Sequence, residues 1–438
     1  MASTRSVDVR NPYGRSYKWP TNIYDELTQM GDLSFLVYQL GYVNSAMQKA
    51  KELGIKLKGM TLDEAGAKPN IKTSALKSNI TPGELKKVIE DNLEFLQEHF
   101  PELGLGLSAT YKSLDELEEM PSDATYDLSS VGGSVVSSGK AKFVKPWRAV
   151  TIEEFEDRFQ NKELVYSVIK DTHHQRITLV FRGTENQLGA GITDWLTNVD
   201  IGIEESDVPE AVKGNIEDET IGLHKGYHKY LFSNTVDDTD DENFRKYDQI
   251  KEDVLGLFQK FPKYKLYVTG HSLGAGVSTM AAFFLACEPD IPKPVSCINF
   301  ASPRIGTTSF LRACQYLEKT CQLKILRAVN AHDTIAVIPV VKYVHVGFQV
   351  TLHKDGKYAP ELHYPNLKLG WQEWLKISWR NSIIASINTG YVSIYGQPRS
   401  LSRRHDSTFL IHSLRYYIHF RTMVTIVNVC TNQLHKSF

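Results

Sequence analysis

The sequence predicts an α/β protein, in which helices cover a mostly parallel sheet. Short β-branched runs alternate with helical segments from about residue 164 onwards, as they do when strands are joined by crossover helices. One strand-to-helix junction has the sequence Gly270-His271-Ser272-Leu273-Gly274, which is typical of a sharp turn at the edge of such a sheet. The 438 residues, 42% hydrophobic and 23% charged, are sufficient for a large globular core.

A helical region, predicted to span residues 1–120, precedes this sheet. Apolar residues recur through 24–54 in a pattern that predicts a long helix. A second helix is predicted to begin at Thr81-Pro82-Gly83-Glu84, a capping box, and its apolar positions continue at helical spacing up to Phe100. We expect this second helix to pack on the main body of the protein. A role in binding a partner is the alternative.

The alternating pattern occupies residues 151–420. A Ser- and Gly-rich stretch at 121–150 predicts a flexible connector before it, and a tail of unassigned role follows at 421–438. The predicted elements are a hairpin of strands 164–169 and 177–181, a helix at 244–261, a strand at 265–269, a helix at 275–286, a strand at 295–300, a helix at 309–317 and a strand at 325–330. This order predicts parallel strands joined by helices.

Composition argues against several classes of protein. The 50 Lys and Arg residues balance 51 Asp and Glu residues, so the positive excess typical of a nucleic-acid-binding protein is absent. The sequence has no apolar run of about 18 residues, and we therefore expect no transmembrane helix. The N-terminal residues 1–20 lack the apolar stretch of a secretory signal. The five cysteines, odd in number and without C-x-x-C spacing, indicate unpaired thiols of an intracellular protein.

Ser272 is the candidate nucleophile, because it lies between the predicted strand 265–269 and the predicted helix 275–286. A nucleophilic serine needs a hydroxyl that protrudes from a tight turn, and glycine leaves the required room two residues before and two residues after it. The N-terminus of the following helix adds a partial positive charge beside the reacting atoms. These features predict nucleophilic catalysis by the serine.

A serine hydroxyl is a weak nucleophile at neutral pH, so it needs a histidine base that a carboxylate orients. In sheets with this kind of turn, the acid and then the histidine follow the serine along the chain. Asp333 fits the acid, since it follows the strand 325–330 and no other acid lies between 319 and 354. Position alone leaves both His405 and His412 open as the base.

Several motifs occur in an order that resembles the class 3 lipases, the family of the filamentous-fungal triacylglycerol lipases and their plant and algal relatives. They are Phe181-Arg182-Gly183-Thr184, Asp194-Trp195-Leu196-Thr197-Asn198, His224-Lys225-Gly226-Tyr227, the turn around Ser272, Ser302-Pro303-Arg304-Ile305-Gly306, Asn330-Ala331-His332-Asp333 and Tyr343-Val344-His345-Val346-Gly347. Each motif is short, but their common order makes the resemblance specific. It covers about residues 164–350 and a short C-terminal piece.

The resemblance implies an α/β-hydrolase fold and identifies further site residues. His412 is followed by Leu414 and Tyr416, as the catalytic histidine of the family is, and His405 is not. The resemblance therefore implies His412 as the base. It also implies that the backbone N–H groups of Thr184 and Leu273 form the oxyanion hole.

The resemblance also places a lid over the substrate in the segment 185–199. Four apolar residues of this segment would face a lipid surface: Leu188, Ile192, Trp195 and Leu196. A fixed surface helix is the alternative. His224 is structural in the family, and we expect the same role here.

Together these residues predict hydrolysis of a carboxylic ester, in particular of an acylglycerol at a membrane or droplet surface. The chemistry requires no metal and no organic cofactor. A phospholipase A1, a galactolipase or an acyltransferase with the same triad is an alternative. An alternative of another class is a catalytically silent lipid-binding or scaffold protein, against which the presence of all three triad residue types argues. The expected location is intracellular, either cytoplasmic or at the periphery of a membrane or lipid droplet.

Overall fold

The elements that position the candidate nucleophile are resolved in a computed structural model of the chain. It describes residues 9–10, 16–17, 23–59, 80–101, parts of 103–115, 142–151, 163–172, 174–183, 202–233, 245–330, 336, 339, 342–352 and 361–363. The helices are α1 (Ile23–Glu52), α2 (Pro82–Asp91), α3 (Leu93–His99), α4 (Lys225–Phe232), α5 (Lys246–Phe258), α6 (Leu273–Cys287) and α7 (Thr308–Lys319).

The strands form one large sheet and two small ones. They are β1 (Val9–Arg10), β2 (Ser16–Tyr17), β3 (Lys142–Thr151), β4 (Glu163–Asp171), β5 (Arg176–Phe181), β6 (Ile203–Asp207), β7 (Thr220–His224), β8 (Lys265–Gly270), β9 (Val295–Phe300), β10 (Leu323–Asn330), β11 (Phe348–Leu352) and β12 (Glu361–His363). The eight-stranded sheet has the order β12-β11-β10-β9-β8-β5-β4-β3, while β1 pairs with β2 and β6 pairs with β7.

The large sheet is mostly parallel, as the sequence predicts. Strands β5, β8, β9, β10 and β11 run parallel to one another, and β12, β4 and β3 are antiparallel to their neighbours. The predicted hairpin is confirmed, because β4 pairs with β5 in an antiparallel register from Tyr166 opposite Phe181 to Asp171 opposite Arg176. This mixed sheet with helices on it is the predicted α/β-hydrolase architecture.

Helices cover both faces of this sheet, and alternate residues of each strand point to opposite faces. In β8, Leu266 and Val268 join a core formed with α4, α5, α6 and α7, whereas Tyr267 joins a second core formed with α1, α2 and α3. The strands therefore have nearly continuous apolar sequences, as expected of a sheet that is buried on both sides. None of the helices among the described residues is long and apolar enough to cross a membrane.

Two boundaries differ from the predictions. The strand β3 begins at Lys142, so sheet pairing extends into the last nine residues of the range 121–150 that composition predicted as a connector. The helix predicted from Thr81 to Phe100 is interrupted at Asn92, where the backbone leaves helical geometry between α2 and α3. The amide of Asn92 accepts a hydrogen bond from the N–H of Lys58 at 2.7 Å and donates one to its carbonyl at 2.9 Å. These contacts between distant parts of the chain explain the interruption.

A buried ion pair closes the β4–β5 hairpin. Arg176 Nε lies 3.0 Å from Asp171 Oδ2, and both side chains are only 3% exposed. Burial alone would raise the pKa of Asp171, but the hydrogen bond from His174 and the charge of Arg176 outweigh burial and lower it. The stabilisation from Asp171 is therefore fully present at neutral pH and is lost as the pH falls through its lowered pKa.

We predict that Arg176→Met destabilises the fold by about 3–5 kcal/mol, because it leaves the buried carboxylate of Asp171 without its cation. The free energy of unfolding, measured by urea denaturation at neutral pH, checks this. Arg245→Met is the control, because Arg245 pairs with Asp248 but is 47% exposed, and we expect a loss below about 1 kcal/mol. Equal losses in the two variants would contradict the prediction.

Candidate active site

Ser272 occupies a strained turn between β8 and α6. Its backbone has φ 57° and ψ −121°, a conformation that a residue with a side chain adopts rarely. Such backbone conformations cost about 1–3 kcal/mol and persist where the surrounding structure enforces them. Ser272 therefore has the backbone strain that the sequence predicts for a nucleophile on this turn.

The two glycines of the turn are required by space. A Cβ atom on Gly270 would lie 2.4 Å from the carbonyl oxygen of Gly274, and a Cβ atom on Gly274 would lie 2.4 Å from the carbonyl oxygen of Phe181. Real Cβ atoms do not approach other atoms so closely. The turn thus packs backbone against backbone, both within itself and against the end of β5.

Hydrogen bonds hold the turn between two strands. The N–H of Ser272 donates to the carbonyl of Phe300 at 3.0 Å, at the end of β9. The carbonyl of Ser272 accepts from the N–H of Ala275 at 3.0 Å, which starts α6. Leu273 is the first residue of that helix, and the first four N–H groups of an α-helix have no partner within the helix. Its N–H is thus suited to binding the oxyanion, beside the positive end of the helix dipole.

Helix α1 packs against the side of the turn that faces away from α6. The hydroxyl of Ser34 lies 2.8 Å from that of Thr269, and the hydroxyl of Tyr38 lies 3.2 Å from His271 Nδ1. The Phe35 ring lies 4.8 Å from the His271 ring, between centroids. Sequence reasoning did not identify these supporting residues. The apolar residues of α1 predict that one face of this helix is buried, but they do not predict which residues that face contacts.

The end of β5 also meets the turn. A Cβ atom on Gly183 would lie 2.6 Å from the carbonyl oxygen of His271 and would overlap the Tyr38 hydroxyl. Gly183 directly precedes Thr184, the predicted second donor of the oxyanion hole. Glycine at this position thus allows β5 and the turn at Ser272 to approach each other closely.

Most of the other predicted site residues lie outside the described part of the chain. They are Thr184, Leu188, Ile192, Trp195, Leu196, Asp333 and His412. The strand β10 ends at Asn330, three residues before Asp333, and runs parallel to β9 and β8. The chain therefore leaves β10 at the same edge of the sheet at which it leaves β8 for Ser272. No group of three or more His, Cys, Asp or Glu side chains suited to a metal ion occurs among the described residues.

His224 lies at the end of β7 and is packed between two aromatic rings. The ring centroid of Tyr227 is 5.0 Å away and that of Tyr343 is 5.2 Å away. The side chain is only 3% exposed. These contacts suit the structural role that the motif analysis predicted, because burial between rings leaves His224 little access to a substrate.

We predict that Gly274→Ala removes activity and folded protein, because the new methyl group would displace the end of β5 from the turn. Gly256→Ala is the matched control, since a Cβ atom on this α5 residue meets nothing within 4 Å. We expect that control to gain about 0.5–1 kcal/mol of stability from its higher helix propensity. Soluble yield and the thermal midpoint measure both effects, and normal folding of Gly274→Ala would contradict the packing argument.

In comparisons with known proteins, residues 178–343 match the model of the family described as Lipase (class 3). Phospholipase A1-Igamma3, chloroplastic, of Arabidopsis thaliana is 27% identical over an alignment of 187 residues, and the match covers 35% of this chain and 34% of that protein. Phospholipase A1-IIgamma of the same plant is 28% identical over an alignment of 156 residues, and the match covers 33% of this chain and 36% of that protein. The chain thus spans about a third of the length of these curated relatives.

A solved structure, lipase II from Rhizopus niveus, is 23% identical to the chain and has a TM-score of 0.32. The similarity covers 43% of this chain and 62% of that one. The mostly parallel sheet and the strained turn at Ser272 are properties of this chain itself. Residues 178–343 match the class 3 lipases, and the mostly parallel sheet with its covering helices has the α/β-hydrolase fold that the sequence predicts.

Proposed function

We propose that the chain is a serine ester hydrolase that acts on acylglycerol lipids. The single observation that carries the proposal is the strained turn that holds Ser272 between β8 and α6. A serine in a strained turn, with a helix N-terminus behind it, is suited to acyl transfer. A turn with a purely structural role does not need this strain. The match of residues 178–343 to the family model of the class 3 lipases supports the same reaction.

In the proposed mechanism, the Ser272 hydroxyl attacks the ester carbonyl while His412 takes its proton. Asp333 orients His412 and stabilises the imidazolium ion that forms. The N–H groups of Thr184 and Leu273 stabilise the oxyanion, and the loss of one such donor typically costs about 2.7–4 kcal/mol of transition-state stabilisation. His412 then protonates the leaving alcohol, and water releases the fatty acid from Ser272.

Phospholipids are the second candidate substrates. The relatives reported above are named phospholipases A1, which supports a glycerophospholipid as an alternative substrate. The cleaved bond is a carboxylic ester in both cases, so the triad and the oxyanion hole are shared. Galactolipase and acyltransferase activities use the same acyl-serine and differ in headgroup or acceptor.

We predict that Ser272→Ala abolishes ester hydrolysis, because removal of the nucleophile in a serine triad costs about 10⁶-fold in kcat. Release of fatty acid is measured with emulsified trioctanoin, phosphatidylcholine, monogalactosyldiacylglycerol and p-nitrophenyl esters from acetate to palmitate. Ser278→Ala is the matched control, because Ser278 is buried in the same helix, donates a hydrogen bond to the Ala275 carbonyl and lies 3.9 Å from Cys297 Sγ.

The substrate that Ser272 hydrolyses fastest identifies the headgroup preference. Labelling of Ser272 by a fluorophosphonate would confirm the nucleophile independently of the substrate. If the wild-type protein neither hydrolyses any of these esters nor reacts with the fluorophosphonate, the chain is a silent lipid-binding or scaffold protein.

The proposed lid gives a separate prediction. Trp195→Ala should lower the rate on an emulsified long-chain ester by about tenfold while the rate on p-nitrophenyl acetate stays within about twofold, since an indole buries a large apolar area at a lipid surface. Equal effects of Trp195→Ala on both substrates would contradict a lid.

A further inference from the structure

The chain segment at the end of α1 presents apolar side chains to solvent. Among the described residues, the large apolar side chains that are exposed are those of Leu53, at 50%, and Ile55, at 44%. They follow directly after Glu52, the last residue of α1. Single apolar residues scattered over a surface are normal, but two in one short turn form a local apolar projection. Residues 49–59 are called the α1 tip below.

The backbone of the α1 tip is fixed where the helix ends. Gly54 has φ 69°, and its N–H donates to the carbonyl of Lys51 at 3.1 Å. The N–H of Ile55 donates to the carbonyl of Ala50 at 2.9 Å. These two hydrogen bonds around a left-handed glycine form a Schellman motif, a defined helix end. The backbone of Leu53 and Ile55 is therefore part of an ordered turn.

The other end of the α1 tip is bound to the junction of α2 and α3. The N–H of Lys58 donates to the side-chain oxygen of Asn92 at 2.7 Å, and the side-chain nitrogen of Asn92 donates to the carbonyl of Lys58 at 2.9 Å. Leu57 packs against the core that α1, α2 and α3 share. The two exposed apolar residues thus lie between a helix end and an anchored segment, so their exposure follows from the turn itself.

Lysines surround the two apolar residues along the chain. The α1 tip contains one acid, Glu52, and four exposed lysines, so its formal net charge is +3; the lysines are Lys49, Lys51, Lys56 and Lys58. Glu52 lies 3.6 Å from the Lys49 ammonium group, and Asp91 lies beside Gly59 at the anchored end. Apolar side chains among several lysines are typical of segments that bind anionic lipid surfaces.

The direction of α1 places the tip on the side of the sheet where Ser272 lies. Three side-chain hydrogen bonds follow α1 and β8 in the same order: Glu26 with Tyr267 at 2.9 Å, Ser34 with Thr269 at 2.8 Å, and Tyr38 with His271 at 3.2 Å. The helix therefore runs in the direction of β8. From Tyr38 it continues for about 20 Å, at 1.5 Å per residue. The α1 tip thus extends beyond the carboxyl edge of the sheet, the edge at which α/β proteins bind their ligands.

A second lysine cluster shows that charge alone does not define this surface. Three exposed lysines lie near the start of β8, at the opposite edge of the sheet: Lys260, Lys263 and Lys265. The aromatic ring among them, that of Phe261, is partly buried, and the Lys170 ammonium group lies 4.4 Å from its centroid. Within the described ranges, exposed large apolar side chains accompany the lysines at the α1 tip and not at this second cluster.

We propose that the α1 tip docks the protein on an anionic lipid surface. Leu53 and Ile55 enter the boundary between headgroups and acyl chains, while the lysines bind the surrounding phosphate groups. The inference rests on the proposed function, because a lipid substrate brings the enzyme to such a surface. It adds which part of the molecule binds the surface and which lipid charge is favoured. Docking on this side directs the edge of the sheet that bears Ser272 towards the lipid.

Vesicle sedimentation tests the proposal with the full chain carrying Ser272→Ala, so that the lipid stays intact. Binding is compared between vesicles of phosphatidylcholine alone and vesicles with about one third phosphatidylglycerol. We expect at least about tenfold tighter binding to the anionic vesicles, since each lysine near such a surface contributes roughly fivefold. This preference should weaken as salt is added. Equal binding to both kinds of vesicle would refute the proposal.

The apolar contribution is tested by Leu53→Ser combined with Ile55→Ser in the same background. Binding to the anionic vesicles should fall by about tenfold or more, because two apolar side chains no longer enter the lipid. The thermal midpoint should stay within about 2 °C, since both residues are exposed and little core packing is lost. Unchanged binding by this variant would overturn the inference.

The charge contribution is tested by Lys51→Gln combined with Lys56→Gln. Binding to the anionic vesicles should fall by about tenfold or more. The matched control is Lys260→Gln combined with Lys263→Gln, which removes the same charge at the opposite edge of the sheet. Its binding should change by less than about threefold, because charges more than a Debye length from the surface are screened. Equal losses in the two variants would indicate unspecific attraction and contradict docking through the tip.

The outcomes separate docking from catalysis. If the tip variants bind vesicles like their parent while the wild-type protein hydrolyses esters, docking fails and the proposed function stands. If the tip variants lose vesicle binding but the wild-type protein hydrolyses no ester, docking stands and the proposed function fails. Light scattering without lipid tests a second copy of the chain as the occupant. A change from dimer to monomer on Leu53→Ser with Ile55→Ser would assign the tip to self-association and overturn the inference.

Discussion

The close contact of the turn at Ser272 with the ends of the neighbouring strands is the constraint on which the rest of the site depends. Gly274 lies against the carbonyl of Phe181 without room for a side chain, and the carbonyl of Phe300 accepts the N–H of Ser272 at 3.0 Å. A serine held at φ 57° would relax if either neighbour moved away. The neighbouring strands therefore hold the Ser272 hydroxyl and the first N–H groups of α6 in a fixed position relative to each other.

Helix α1 supports the same turn from the other face of the sheet. It shares one hydrophobic core with α2, α3 and sheet residues such as Val180 and Ile298. Through Ser34 and Tyr38 it reaches the two residues on either side of Gly270, namely Thr269 and His271. Helix α1 and the turn at Ser272 are thus joined by direct contacts, so that the packing of the helix and the geometry of the turn are coupled.

Several charged side chains are buried among the described residues, and two of them, Arg176 and Arg327, have different uses. Arg176 neutralises a buried carboxylate in a hairpin at the end of the sheet away from Ser272, where it stabilises the fold. Arg327 instead donates to a backbone carbonyl and to a side-chain amide at β11 and the loop before it. A buried cation that binds carbonyl oxygens specifies the path of a loop, because the loop must bring its carbonyl groups within hydrogen-bonding distance of the cation.

The sequence alone predicted five strands of the large sheet, β4, β5, β8, β9 and β10, and it singled out Ser272 as the candidate nucleophile. The strands β8, β9 and β10 and the helices α6 and α7 match their predicted ranges within about two residues, because buried parallel strands and crossover helices have strong apolar patterns. Ser272 was predictable because its turn demands glycine at two fixed positions, a local requirement that is visible in the sequence. The break in the helix at Asn92 was not predictable, because the amide of Asn92 forms a hydrogen bond with Lys58, which is far away in the chain. The contacts of Tyr38 with His271 and of Arg327 with Val346 were likewise decided only by the tertiary structure. Apolar periodicity shows that a face is buried, but which polar group meets it depends on how distant segments pack.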